Sequence, residues 1–200
     1  MNCQRIYRKD LPVVNFDEEA RHWDANPDRV ERALAIANTI EELVKLDPPP
    51  KALEYGCGTG LVTFALHPKL AHVTLADSSS GMIAVVQDKI ANGNIADMTP
   101  VVLDLTTDPL PDERYDLIYT VMALHHVLDI EGILGKFYTL LESGGRLAIA
   151  DLDKEDGSFH GDSFDGHAGF DRDALGSLLE KVGFCRIRVK CLNYLWLCGL

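Results

Sequence analysis

Between Leu53 and Gly60 the chain reads Leu-Glu-Tyr-Gly-Cys-Gly-Thr-Gly. Glycine lets a backbone turn sharply and approach a ligand closely, and free amides at a helix start attract electron-rich atoms. A tight strand-to-helix turn needs one glycine; Gly56, Gly58 and Gly60 at alternate positions point to a binding loop. Details of the loop exclude two ligands. A P-loop ends in Gly-Lys-Ser/Thr, whereas Gly60 is followed by Leu61-Val62-Thr63. A dinucleotide fingerprint wants glycine where Leu61 stands, and no Tyr-x-x-x-Lys pair is present to serve a short-chain dehydrogenase. Three carboxylates stand at the ends of apolar runs: Glu54, Asp77 and Asp104. An ionised carboxylate accepts from two adjacent hydroxyls at once, which suits a sugar diol. Asp77 reads equally well as a helix cap ahead of Ser78-Ser79-Ser80, and Asp104 as a turn residue before Thr106-Thr107. Glu54, inside an apolar strand end, requires a partner. Candidates for proton transfer, should an acceptor have to lose a proton, are His125 and His126 after strand four and Asp151, Asp153, His160 and His167 after strand five. For the His125-His126 pair a structural role stands beside the catalytic one.

The elements that must position these residues are marked by punctuation and period. Asp47-Pro48-Pro49-Pro50 stops any helix, since proline lacks the amide donor and restricts its predecessor. Ahead of it, Val30, Ala33, Leu34, Ala37, Ile40, Leu43 and Val44 recur at helical spacing, with Asp28 as the candidate cap. A shorter helix is predicted over 18–23, starting at Asp17. Residues 1–50 are therefore expected to form a helical cap, and 51–200 the core. Tyr7, Phe16, His22 and Trp23 in the cap would either cover a ligand or dock the helix on the core. Past the prolines, apolar runs predict strands over 52–55, 73–76, 101–105, 117–122, 147–152, 186–190 and 194–198. Helices are predicted between them over 61–66, 80–91, 130–142 and 171–182. Near-continuous apolar strands alternating with helices indicate a doubly wound parallel α/β sheet. Only Cys191, Leu192 and Asn193 separate the last two strands, too few for a crossover, so that pair must be antiparallel.

The acidic-x-Gly-x-Gly-x-Gly run of Glu54, Gly56, Gly58 and Gly60 resembles the class I S-adenosylmethionine-dependent methyltransferases. Further motifs follow in that family's order over about residues 50 to 190. Asp77-x-Ser79-x-x-Met82 is similar to its ribose-binding acid followed by a residue packing near the adenine. Asp104 stands where the family places a carboxylate near the adenine amino group. Asp116 through His126 resembles the fourth-strand motif, Ser143-Gly144-Gly145 the turn into strand five, and Gly183-Phe184 the approach to strand six. The resemblance implies a seven-stranded Rossmann-like sheet of order 3-2-1-4-5-7-6 with strand 7 antiparallel. It implies S-adenosyl-L-methionine as cofactor, with further contacts from Cys57, Ser78, Leu105 and Tyr119. The activity implied is methyl transfer by in-line displacement to oxygen, nitrogen or carbon. Two rivals keep the same loop: a non-catalytic cofactor-binding partner subunit and, less favoured, a Rossmann oxidoreductase.

Composition narrows the partners. Over 200 residues, Lys+Arg 19 stand against Asp+Glu 31, a net charge of −12. That balance argues against nucleic acid or an anionic membrane as the main partner. Residues 151–173 hold eight acids against Lys154 and Arg172. This acidic, glycine- and histidine-bearing segment predicts a small neutral or cationic acceptor rather than a polyanion. A nucleic-acid methylase motif after strand four is replaced by Thr120-Val121-Met122-Ala123. Five cysteines without ligand spacing predict reduced thiols and no metal site. The polar start at Met1-Asn2-Cys3-Gln4-Arg5 and the lack of a long apolar run predict a cytoplasmic location.

Overall fold

The computed structural model describes residues 15–157, 159, 164–190 and 195–200. Helix α1 (Phe16–Glu19) is capped by Asn15, whose side chain accepts from the Asp17 amide, and runs into a 3-10 turn over Ala20–Ala25. Helix α2 (Pro27–Val44) begins one turn before its apolar stripe. Its cap is Asn26, not Asp28: the Asn26 side chain accepts from the Asp28 amide at 3.0 Å, and Pro27 fits the first helical position. Asp28 instead supplies negative charge to the first turn.

The core alternates as expected: β1 (Lys51–Tyr55), α3 (Leu61–Leu66), β2 (His72–Asp77), α4 (Ser80–Gly93), β3 (Met98–Val102), β4 (Tyr115–Val121), α5 (Ile130–Leu140), β5 (Leu141–Ala150), α6 (Arg172–Val182), β6 (Cys185–Lys190) and β7 (Leu195–Gly199). The strands form one sheet of order β3-β2-β1-β4-β5-β7-β6. All neighbouring pairs through β5 are parallel, while β7 runs antiparallel to both β5 and β6. Strand β3 lies three residues earlier than the apolar run suggested. Pairing with β2 sets its register from Val73↔Met98 to Asp77↔Val102. Proline at position 100 is tolerated there because β3 is the sheet edge.

Each sheet face is covered. On one, α2, α3 and α4 bury Ile36, Ile40, Leu66 and Val86 against Val73, Leu75 and Leu117. On the other, Leu134, Phe137, Leu179 and Trp196 pack on Leu53, Ile118 and Ile149. Each such side chain, fully buried, contributes about 1.5–3 kcal/mol before entropy is counted. The sheet therefore holds the carboxyl ends of β1, β2 and β4 rigidly side by side, where open α/β sheets bind ligands. Among the described residues no helix is long and apolar enough to cross a membrane.

Candidate functional site

At those carboxyl ends lies a cavity of about 290 Å³, walled by the β1–α3 loop, the ends of β2 and β4, and the face of α2. The loop is shaped by its glycines. At Gly56 (φ +70) a Cβ would come within 2.3 Å of the Ala123 Cβ, so no side chain fits between β1 and β4. Gly60 (φ +79) starts α3 in the left-handed region and closes the loop, its amide donating to Cys57 O at 2.8 Å. The loop is also pinned to β2. The Gly56 and Cys57 amides donate to Ala76 O, and the Gly58 amide donates to Asp77 Oδ2 at 2.7 Å.

Asp77 is thus partly used by the protein itself, since Oδ1 accepts from the Ser79 amide at 2.9 Å. A carboxylate has about four acceptor positions, so each oxygen keeps a further one, and Asp77 lines the cavity. Burial raises the Asp77 pKa, opposed by the two amide bonds. The helix cap is Ser79, whose side chain accepts from the Met82 amide. Asp104 closes a turn of its own: Oδ1 accepts from the Thr106 amide and hydroxyl at 2.9 and 2.6 Å. Glu54 is buried with its partner found, the Thr63 hydroxyl, which also meets the Tyr119 hydroxyl. Burial pushes the Glu54 carboxyl up to about 8.

Eight of the cofactor residues expected from sequence come together on the cavity wall: Glu54, Gly56, Cys57, Gly58, Asp77, Ser78, Met82 and Asp104. Gly60, Leu105 and Tyr119 stand behind it. Gly60 shapes the loop, Leu105 is fully buried in the second core, and Tyr119 is buried with its hydroxyl on Thr63. The histidines separate sharply. His126 lines the cavity, edge-on to Phe16 and Phe164 at 5.4 and 5.2 Å. His125 faces the interior, its Nδ1 donating to Asp151 Oδ1 at 2.6 Å, while Asp151 Oδ2 accepts from the Leu124 amide. This pair fastens the loop after β4 to the end of β5. His167 sits outside the cavity wall, its amide donating to His125 O and its ring beside Phe170. His160 and Tyr7 lie outside the described residues. Among the described residues no group of three or more His, Cys, Asp or Glu could hold a metal ion.

The roof comes from the N-terminal helices. Phe16 and Trp23 line the cavity, and the segment is tied down on both sides of the loop. Asp17 accepts from the Ser79 hydroxyl and Gly81 amide at 2.6 and 2.7 Å, which lowers its pKa. Asp24 meets the Thr59 hydroxyl and pairs with Lys89 at 2.6 Å. The sequence reading missed Arg29 and Arg32, which also line the cavity. The Arg29 guanidinium lies 3.6 Å from the Trp23 ring centroid, and burial lowers its pKa. The available signal was positional: Arg29, Arg32, Ala33 and Ile36 share one helical face at i, i+3, i+4, i+7. Leu34, counted in the apolar stripe, is instead 50% exposed. Met122 is a third cavity residue that the sequence did not single out, with φ +53, a backbone region sparsely used by bulky side chains.

A family profile described as "Methyltransferase domain" matches residues 28–189. Phosphoethanolamine N-methyltransferase 1 of Zea mays is 30% identical over 160 residues, covering 76% of this chain and 32% of its own length. The ubiquinone/menaquinone biosynthesis C-methyltransferase UbiE of Xanthomonas campestris is 24% identical over 172 residues, covering 83% of this chain and 68% of its own length. The chain spans 41% of an uncharacterized methyltransferase of Schizosaccharomyces pombe and 32% of the maize enzyme, less than half of each. Among solved structures, a SAM-dependent methyltransferase from Aquifex aeolicus has the same fold, with TM-score 0.70, 19% identity, and 92% and 96% of the two chains covered. A structure from Methanococcus maripaludis matches with TM-score 0.72, 17% identity and 96% of each chain.

Proposed function

The chain belongs to the class I S-adenosylmethionine-dependent methyltransferases, and from that membership we propose that it transfers a methyl group to a small-molecule acceptor. The carrying observation is one cavity at the carboxyl ends of the strands, where Asp77, Asp104, Met82, the glycine loop and His126 meet. The donor set fits the cofactor. Asp77 keeps acceptor positions for two ribose hydroxyls, Met82 and Asp104 suit an adenine, and Arg29 with Arg32 suit the carboxylate of the methionine part. When bound, the cofactor supplies an electrophilic methyl on a sulfonium, opened by in-line displacement.

What the chain's own residues do is alignment and exclusion. Phe16 and Trp23 close the roof against water, held by the ties of Asp17 and Asp24. His126 is the group we assign to accept a proton where the acceptor must lose one. His125 holds the loop that carries His126, through Asp151. The acceptor is read as small and neutral or cationic, bearing an oxygen, nitrogen or carbon nucleophile. The maize and Xanthomonas relatives are named for nitrogen and carbon methylation, which supports that breadth. In this reading the 1–50 segment, of which residues 1–14 lie outside the described residues, is assigned as cap and 51–200 as the cofactor-binding core. Calorimetry should give saturable 1:1 binding of S-adenosylhomocysteine, and incubation of S-adenosylmethionine with a small-molecule extract should release it. Binding without any turnover would favour a non-catalytic subunit; absence of binding would end the proposal.

A further inference from the structure

A second cavity of about 260 Å³ lies at the opposite, amino-terminal end of the parallel strands. Four basic residues from three separate parts of the fold line it: Lys45 after α2, Arg146 on β5, and Arg186 and Arg188 on β6. In a chain of net charge −12 this is a local inversion of sign. Ordinary structural duties account for the neighbours. Arg146 Nη1 donates to Val44 O, one of the terminal carbonyls of α2, and Lys190 pairs with Glu42 at 2.6 Å. Cations suit a helix carboxyl end, and one arginine suffices for that. Among the described residues no carboxylate forms an ion pair with Lys45, Arg186 or Arg188.

Two of these residues stand where the backbone bends. Lys45 leaves α2 in the left-handed region (φ +52), and Arg186 takes φ +55 where the β6–β7 register shifts between Cys185 and Arg188. Non-glycine residues use that region sparingly, and bulges re-aim side chains. Like charges converging on one cavity repel, and a compact anion among them removes that repulsion. Guanidinium forks match phosphate oxygens in pairs. We propose that this cavity is a binding site for a phosphate-bearing small molecule, held by Lys45, Arg186 and Arg188. It is separate from the cofactor cavity and does not depend on the activity proposed for that cavity.

The test is calorimetric titration of the full chain with pyrophosphate and with orthophosphate, at constant ionic strength set by chloride. The expected result is saturable 1:1 binding of pyrophosphate, weakened at least tenfold in Arg186→Gln and in Arg188→Gln. Lys69→Gln and Lys181→Gln, exposed lysines elsewhere, should leave it unchanged. A cooperative thermal unfolding transition near the wild-type midpoint shows that each variant is folded, and broadening of the pyrophosphate phosphorus resonance gives a second readout. The proposal is overturned by any of three results: no saturable binding by the wild type, binding unchanged in both arginine variants, or binding lost instead in Arg29→Gln.

Discussion

Replacing Asp77 by alanine tests the cofactor cavity most directly. Its carboxylate is positioned by two amides, Gly58 at 2.7 Å and Ser79 at 2.9 Å, so its remaining acceptor positions have a fixed direction. A hydrogen bond to a charged group contributes about 1.5–3 kcal/mol net, and two ribose hydroxyls would make two of them. The expected loss is about 3–6 kcal/mol, or a factor of roughly 10² to 10⁴ in affinity. The same change leaves the Gly58 amide without its acceptor, which loosens the loop and acts in the same direction. Asp77→Asn keeps the shape and one acceptor oxygen, so its loss should be smaller, about tenfold. The measurement is calorimetric titration with S-adenosylhomocysteine at 25 °C, paired with thermal unfolding of each variant. An Asp77→Ala protein that is folded and binds within threefold of the wild type would refute the ribose assignment.

The two adjacent histidines should separate by assay. His125→Ala breaks a buried pair with Asp151 and should cost about 3–5 kcal/mol, lowering the midpoint by about 6–20 °C in scanning calorimetry. His126→Ala should leave that midpoint nearly unchanged while lowering turnover by about 10² or more where the acceptor loses a proton; equal effects on both properties would undo the distinction. Glu54 gives a pH signature. Its folded pKa of about 8 lies above the ordinary 4.5, so the folded state holds a proton that the unfolded state releases. That stabilisation is complete below pH 4.5 and is lost as pH rises through 8, a span equivalent to roughly 5 kcal/mol. Glu54→Gln, neutral throughout, should flatten the fall of the melting midpoint between pH 5.5 and 8.5, and an unchanged slope would contradict the assignment. Trp23→Ala removes part of the roof and the ring under Arg29. Affinity for S-adenosylhomocysteine should drop about tenfold with little change in stability, since Trp23 is only half-buried.

How far the sequence was legible depended on whether the governing interaction was local. Helix α3 spans the predicted 61–66, because a glycine turn and a short apolar run fix both ends. The antiparallel final pair followed from connection length alone, a constraint of chain reach. Strand β3 shifted by three residues because its register is imposed by β2, and no pattern within 98–105 records that. Among the site residues, those on the loop and strand ends were found by type and spacing. The histidines were not ranked by sequence: adjacent side chains on a 3-10 turn point different ways, and only the packing of Asp151 and Phe16 shows which faces the cavity. Arg29 and Arg32 escaped because an arginine on an amphipathic helix ordinarily reads as its solvated flank. The helical face that carries them covers a cavity rather than solvent or core.

Those two arginines alter what the net charge implies. Charges interact over about 8–10 Å in physiological salt, so a total over 200 residues describes solubility and long-range steering, not a binding site. The cofactor cavity has carboxylates on its sheet edge (Asp77 and Asp104, beside a Glu54 that holds its proton below pH 8) and guanidinium groups on its helix wall. A site divided in that way favours a ligand carrying both signs over a simple cation, and the cofactor has a sulfonium and an ammonium beside a carboxylate. The acids that the total counts as excess are in part matched within the cavity. A neutral or cationic acceptor, as proposed, would meet the side of the cavity near His126, where Phe16, Val127 and Ala123 line the wall.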